Sequence, residues 1–331
     1  MRLLMLGGTE FVGRVVAEEA VARGWQVTVF HRGKHAAPEG VTAVHGDRGD
    51  AAGLAALGEG EWDAVVDTWS GAPAAVRDAA RLLAGRVGRY AYVSSCSVYA
   101  FPPPPPPYGE QAPVVTGSPD ATDAEDYAQA KRGGELAAIE AFGERALLVR
   151  AGLILGPYEN IGRLPWWLGR IARGGPVLAP GPRELALQYI DVRDLAAWTL
   201  DALEAGLGGA YSVVSEAGHA TMGEFLESCV TATGADAELR WTAPEDVLAA
   251  GIEPWSELPV WLAPGEWRDA FFGADVSKAL ATGLRCRPIG ETVTDTWAWL
   301  QSLGGVAPQR PDRPAVGLSA EKEAAVLDRA V

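Results

Sequence analysis

Six short apolar runs constrain the fold of this chain more than any other feature: "RLLML" (2–6), "VTVF" (27–30), "VTAV" (41–44), "AVVD" (64–67), "YAYVSS" (90–95) and "ALLVR" (146–150). Each is too short for a helix and too continuously apolar for a strand with one wet face. Stretches with helical spacing, at 12–23, 73–84 and 124–142, separate several of them. Buried strands alternating with helices predict a parallel sheet covered on both faces, a doubly wound α/β fold of the Rossmann type.

Beyond about residue 157 the texture changes. Glycine and proline punctuate the chain more often, and nine of the twelve tryptophans follow residue 150. With 331 residues, the length prior of about two domains divides the chain into a dinucleotide-binding domain over 1–156 and a smaller, mixed α/β substrate domain over 157–187 and 204–331. The segment "QYIDVRDLAAWTLDAL" (188–203) is expected to return to the first domain. The tryptophans read as core packing, because aromatic rings chiefly supply buried area. The run "FPPPPPP" (101–107) excludes helix and central strand and reads as a stiff exposed polyproline loop of about 19 Å. In the tail, 309–331, a proline-rich linker leads to a short helix with Ser319 as its N-cap.

The net charge of −15 argues against nucleic acid or an anionic membrane as partner, since both require a cationic footprint. No apolar run approaches the ~20 residues of a membrane span, and the N-terminus runs directly into a strand without the regions of a signal peptide. Cys96, Cys229 and Cys286 are too few and scattered for a disulfide framework or a metal site. The expectation is a cytoplasmic protein, monomer or homodimer, acting on a small molecule.

The first chemical motif is "MLGGTEFVGR" (5–14), where a strand runs into Gly7 and a helix is predicted to open near Phe11. Unpaired N–H groups and the helix dipole at such a terminus favour a diphosphate. Gly7 allows the tight turn and Gly13 the close approach of helix to sheet; Thr9, Phe11 and Val12 line the same turn. Glu10 stands where the usual middle glycine would be, and is expected to point outward, because inward it would repel phosphate.

The end of the second strand selects the dinucleotide. An acid there would hold the adenosine ribose hydroxyls of NAD, but this chain has His31 and Arg32. A guanidinium suits a 2′-phosphate, so the residues favour NADP(H) over NAD(H). Further along, Asp47 and Arg48 in "GDRGD" (46–50), and Thr68 and Trp69 in "DTWSG" (67–71), follow the third and fourth strands and are expected beside the cofactor.

Taken in order, "GGTEFVG", "YVSSCSVYA" (92–100) and "YAQAK" (127–131) resemble the extended short-chain dehydrogenase/reductase superfamily, and within it the bacterial reductase-like members with GGTxFVG openings. The segments "RAGLILGPYE" (150–159) and "QYIDVRDLA" (188–196) stand where that superfamily has its later signatures, the first adding Gly152 and Leu153 as cofactor contacts. The resemblance implies Tyr127 as acid/base, Lys131 as its activator and holder of the nicotinamide ribose, and Ser95 as the third member. Residues i and i+4 share a helix face, which agrees with the pairing of Tyr127 and Lys131. The implied chemistry is hydride transfer at a carbinol carbon. Net reduction of a weakly charged carbonyl compound is the first expectation, and epimerisation or dehydration of a sugar or nucleotide sugar, without net cofactor use, is the alternative. A non-catalytic NADP(H)-sensing regulator is the reading from another class. Where nucleotide-sugar enzymes of this type carry an arginine that clamps the diphosphate, this chain has Leu187; Arg150, Arg163, Arg170, Arg173, Arg183 and Arg193 remain as other cationic contacts.

Overall fold

Four of the five residues of the first strand are buried (burial pattern eBBBB), as a central parallel strand requires. The computed structural model describes residues 1–102, 105–306, 309–310 and 313–328. In chain order the elements are β1 (Arg2–Leu6), α1 (Phe11–Ala22), β2 (Gln26–His31), β3 (Thr42–His45), α2 (Ala51–Leu54), β4 (Trp62–Asp67), α3 (Pro73–Leu83), β5 (Val87–Ser95), α4 (Tyr127–Phe142), β6 (Ala146–Ala151), β7 (Leu153–Leu155), α5 (Arg163–Ala172), β8 (Gly175–Pro180), β9 (Ala186–Leu187) and β10 (Tyr189–Asp191). There follow α6 (Val192–Glu204), β11 (Gly209–Val213), β12 (Ala220–Thr221), α7 (Met222–Thr233), β13 (Ala237–Thr242), α8 (Pro244–Ala249), α9 (Glu266–Phe271), α10 (Ser277–Ala281), α11 (Ile289–Ser302) and α12 (Ala320–Leu327).

The chain divides into two compact units. The first comprises Met1–Gly152, Val192–Val214 and Ala274–Arg285, the second Leu153–Asp191, Ser215–Gly273 and Cys286–Val331. In the first unit seven strands form one sheet in the order β11-β6-β5-β4-β1-β2-β3, all neighbours parallel. The strand order reverses between β1 and β4, paired Leu6 to Asp67. In a doubly wound sheet, ligands bind outside the carboxyl ends of the strands at this reversal. On one face Leu4, Leu6, Val65, Val76, Leu83, Tyr90, Tyr92, Ala137, Phe142 and Leu148 form a common core.

The sheet is thus the predicted Rossmann-like α/β fold, with three corrections. First, the seventh strand, β11, belongs to the first unit although its residues fall within 204–331; it pairs with β6 from Gly209↔Leu147 to Val213↔Ala151. Second, segment 274–285, also expected in the second domain, is tied to the first unit. Lys278 Nζ donates to the Ala210 carbonyl (2.6 Å) and lies over the Tyr211 ring, and Trp198 Nε1 donates to Thr282 Oγ1 (3.3 Å). Third, α4 begins at Tyr127 rather than at 124, because Asp126 caps it by accepting from the Gln129 N–H (3.0 Å).

The second unit has its own core around Leu164, Trp167, Leu168, Phe225, Leu226, Val260 and Trp261, with Trp166, Trp241, Trp255, Trp297 and Trp299 packed against it. Most of the late tryptophans therefore supply buried area, as expected. Short strand pairs, β7 with β10, β8 with β13 and β9 with β12, frame this core. The tail helix α12 is capped by Ser319 and anchored by a buried ion pair, Glu323 to Arg170 (2.6 Å). The expected polyproline rod includes Pro103 and Pro104, which lie outside the described residues.

Candidate active site

The turn between β1 and α1 has the backbone that only glycine adopts without strain: Gly7 and Gly8 have φ of +107° and +90°. Space is equally restrictive. A Cβ on Gly13 would stand 2.7 Å from the Gly8 nitrogen, and one on Gly7 would stand 2.9 Å from Thr68 Oγ1. Thr68 in turn donates to the Leu6 carbonyl (3.4 Å), fastening the β4 loop against this turn. Glu10 occupies the N-cap of α1 with no capping bond from its side chain, and no acid lies in the first helical turn. It is exposed and stands 3.6 Å from His35, so it points outward as expected. The helix terminus formed by Phe11, Val12 and Gly13 therefore presents backbone donors and a positive dipole, which fits a diphosphate. Thr9 is half-buried beside it.

A second observation at the end of β2 fits a dinucleotide. His31 is buried and packs edge-on against His45, with ring centroids 4.7 Å apart. Its Nδ1 accepts from the Gly33 N–H (3.2 Å), which puts the proton of the neutral ring on Nε2. Burial, then the neighbouring His45, holds the His31 pKa below the usual histidine value, so the neutral form persists. Among the described residues His31 Nε2 is a buried donor without an acceptor. Such a group costs free energy unless something supplies an acceptor, and a ribose oxygen has that chemistry. Arg32 beside it is exposed.

The loop after β3 divides in two. Asp47 is exposed and turns on itself, accepting from the Gly49 N–H (2.9 Å). Arg48, expected beside the cofactor, is instead buried. Its two terminal nitrogens donate to both oxygens of Asp67 (2.6 and 2.8 Å), and one also to the Ala75 carbonyl (3.1 Å). Tyr90 Oη donates to the same carboxylate (2.5 Å). Burial alone would raise the Asp67 pKa; the Arg48 charge and these hydrogen bonds override it and hold the carboxyl below its usual value. Arg48 is a structural cation because Asp67, at the end of an otherwise apolar strand, requires one.

Lys131 and Ser95 stand near the ends of β4 and β5, and Tyr127 lies one helical turn before Lys131. Tyr127 is the first residue of α4 and is exposed. One turn on, Lys131 is 4% exposed, and its Nζ donates to the carbonyls of Trp69 and Val93, both at 2.7 Å. Ser95, the last residue of β5, caps a short 3-10 turn and accepts from the Ser97 N–H (3.1 Å). Trp69 supplies a backbone carbonyl to this group while its indole is tied to Ala72. A positive charge favours the ionised form of a phenol near it. Gly152 continues the pairing of β6 with β11: its N–H donates to the Val213 carbonyl (3.4 Å), and a Cβ would meet Val214 Cγ2 at 2.5 Å. Leu153 begins β7 and is buried in the core of the second unit.

The model of the NAD dependent epimerase/dehydratase family matches residues 3–213. The chain belongs to this family. It is accordingly an enzyme of the short-chain dehydrogenase/reductase superfamily. The solved structures it resembles are similar in fold over nearly their whole length. The Bordetella bronchiseptica enzyme WbmH, in complex with NAD+, has a TM-score of 0.70 and 20% identity, covering 92% of this chain and 99% of that one. The Thermus thermophilus UDP-glucose 4-epimerase, in complex with NAD, has a TM-score of 0.65 and 20% identity over 91% and 99%. The Bordetella bronchiseptica enzyme WbmG, in complex with NAD and UDP, has a TM-score of 0.68 and 18% identity over 95% and 99%. Comparison with curated proteins gives no match.

For a member of the epimerase/dehydratase family, one side chain beside Lys131 is informative though sequence reasoning did not single it out. Glu135, fully buried one turn beyond Lys131, accepts from Ser94 Oγ (2.8 Å), Arg132 (2.8 Å) and both Arg150 Nε and its terminal nitrogen (2.9 and 3.1 Å). Arg150 is thereby engaged within the sheet, as Arg170 is by Glu323, so neither is a loose cation for a substrate. Leu187 is 1% exposed within the second core. The one readable signal for this network was a carboxylate and two glycines inside a helix, "KRGGE" (131–135).

Proposed function

We propose that this family member catalyses an NAD(P)-dependent epimerisation or dehydration of a sugar or nucleotide sugar, with Tyr127 as acid/base and no net consumption of cofactor. The single observation that carries the chemistry is the buried Lys131 ammonium, fixed by the Trp69 and Val93 carbonyls one helical turn from Tyr127. The same geometry serves net reduction, so the preference for a returned hydride rests on the family and on the epimerases that share the fold.

In this reading Gly7, Gly13 and the α1 N-terminus hold the diphosphate, His31 Nε2 donates to an adenosine ribose oxygen, and Lys131 reaches the second ribose. When bound, the dinucleotide would supply the hydride acceptor and donor for a carbinol carbon. Tyr127 Oη accepts the carbinol proton as the hydride leaves and returns it afterwards. An ordinary phenol has a pKa of about 10, so acting near neutral pH requires about 3 units, or ~4 kcal/mol, of preference for the phenolate. The Lys131 charge, in a partly desolvated position, contributes to that preference. Ser95 Oγ orients the substrate oxygen by a hydrogen bond. No guanidinium comes from position 187, so a diphosphate on the substrate side would need another cation.

Incubating the protein with catalytic NAD+ or NADP+ and either UDP-glucose, UDP-galactose or the free hexoses tests this reading. A new stereoisomer or dehydrated product, with no lasting change at the reduced-nicotinamide band, supports it. Stoichiometric accumulation or loss of reduced cofactor would instead favour the second reading, net carbonyl reduction by NADPH. That alternative has a specific observation behind it: His31 and an exposed Arg32 replace the acid that usually selects NAD.

A further inference from the structure

We infer that Tyr92 is the positioning residue for Lys131: its ring and hydroxyl, admitted by the bare backbone of Gly134, hold the ammonium beside Tyr127. This deepens the reading of Tyr127 as acid/base and rests on it.

Tyr92 and Ser94 lie two residues apart on β5 and face the same side of the sheet. Ser94 bonds Glu135 of α4, so Tyr92 faces α4 as well. On that helix Lys131, Gly134 and Glu135 occupy positions i, i+3 and i+4, one surface. Lys131 Nζ stands 4.9 Å from the centre of the Tyr92 ring, within the range of a cation–π contact. At 1% exposure the ring is desolvated, where that attraction is strongest. Tyr92 Oη donates to the Trp69 carbonyl (3.1 Å), the same oxygen that accepts from Lys131. One side chain thus contacts the cation and also fixes one of the two carbonyls that hold it.

Gly134 makes the approach feasible. A Cβ there would lie 2.4 Å from Tyr92 Oη, 2.5 Å from Cζ and 2.8 Å from Cε1. No side chain fits while the ring stays in place. Glycine inside a helix is unfavourable against alanine, so its presence one turn from Lys131 answers a packing requirement. Burial, then the nearby Asp67 and Tyr127, pushes the Tyr92 pKa well above the tyrosine range. Tyr92 therefore stays a neutral ring and donor, and does not compete with Tyr127 for the proton.

The test reads Tyr127 itself. Phenolate ultraviolet absorbance is titrated in each protein against the same protein carrying Tyr127→Phe, for wild type, Tyr92→Phe, Tyr92→Met and Gly134→Ala, with fold monitored by circular dichroism. Tyr92→Met keeps most of the volume but removes the ring face and hydroxyl, and is expected to raise Tyr127 ionisation by about one unit, tenfold in proton affinity. Tyr92→Phe keeps the ring and is expected to shift it by less than about half of that. Gly134→Ala, which displaces the ring without altering it, is expected to shift it in the same direction. A folded Tyr92→Met protein with unmoved Tyr127 ionisation overturns the inference, as does an unmoved Gly134→Ala protein should Tyr92→Met not fold. The measurement uses no substrate and no turnover. Expected shifts in a protein inactive on sugars would therefore uphold the role of Tyr92 while rejecting the proposed reaction.

Discussion

Replacing Arg48 by methionine is the perturbation whose consequence follows most closely from the structure. Asp67 is fully buried and accepts from four groups: the two Arg48 nitrogens (2.6 and 2.8 Å), Tyr90 Oη (2.5 Å) and the Trp69 N–H (2.9 Å). Arg48→Met removes two of them together with the positive charge they carry, and the Ala75 carbonyl loses its side-chain donor. Breaking a buried ion pair by deleting one partner costs about 3–5 kcal/mol. Against a total stability of about 5–15 kcal/mol, that is a large share. At ~2–4 °C per kcal/mol the transition should fall by roughly 10 °C.

The pH dependence identifies the cause. In the wild type the Asp67 pKa lies below its unfolded value, so its contribution is present above the unfolded pKa of about 3.9 and is lost as pH falls through the folded one. In Arg48→Met burial dominates and the folded pKa rises above the unfolded value. Stability is then regained on acidification from neutral pH towards about 4, the opposite sign. Urea denaturation of both proteins across this range, with dinucleotide affinity measured alongside, is the assay. A variant within about 0.5 kcal/mol of wild type, with the same pH trend but weakened dinucleotide binding, would refute the structural role and return Arg48 to the cofactor.

Lys131→Met should lower turnover by about 10²–10⁴-fold and move the pH–rate profile towards the basic side, as steady-state kinetics over pH would show. Arg32→Ala should weaken NADP+ binding by about 1.5–3 kcal/mol while leaving NAD+ nearly unaffected, by isothermal titration; equal loss for both would remove Arg32 from the 2′-phosphate. Glu159 is buried against the N-terminus of α5, accepting from the N–H groups of Arg163 (2.7 Å) and Leu164 (3.1 Å). Burial, opposed by those contacts, pushes its pKa up to about 7. A folded pKa above the unfolded value means that stability falls as pH rises from about 4.5 to 7, by about 3 kcal/mol. Glu159→Gln should flatten that slope in thermal melts, and an unchanged slope would contradict it.

The sheet was legible because parallel strands buried on both faces must be continuous apolar runs, as in "RLLML" and "ALLVR". The seventh strand escaped because "GAYSV" mixes glycine and serine and has no such run, its Ser212 being paired internally with Tyr99 (2.6 Å). The second unit was illegible in detail for a related reason. Strands of two or three residues, such as β9 and β12, carry no period, and their existence depends on partners far away in the chain. At the candidate site, the motif pointed to Gly7 and Gly13, since a turn fixes local geometry, and the family resemblance pointed to Tyr127 and Lys131, with which their i, i+4 spacing agrees. Spacing could not say which way Arg48 points, because direction depends on the Asp67 carboxylate nineteen positions away. Nor could it assign Gly134, whose reason is a ring on another element.

The measurement that bears most directly on the whole account is the difference titration of the Tyr127 phenol, wild type minus Tyr127→Phe, with and without NAD+. The account predicts an ionisation well below the ordinary tyrosine value of about 10 and a further fall when the cofactor binds. A phenol that titrates at about 10, indifferent to NAD+ and to Lys131→Met, would contradict it.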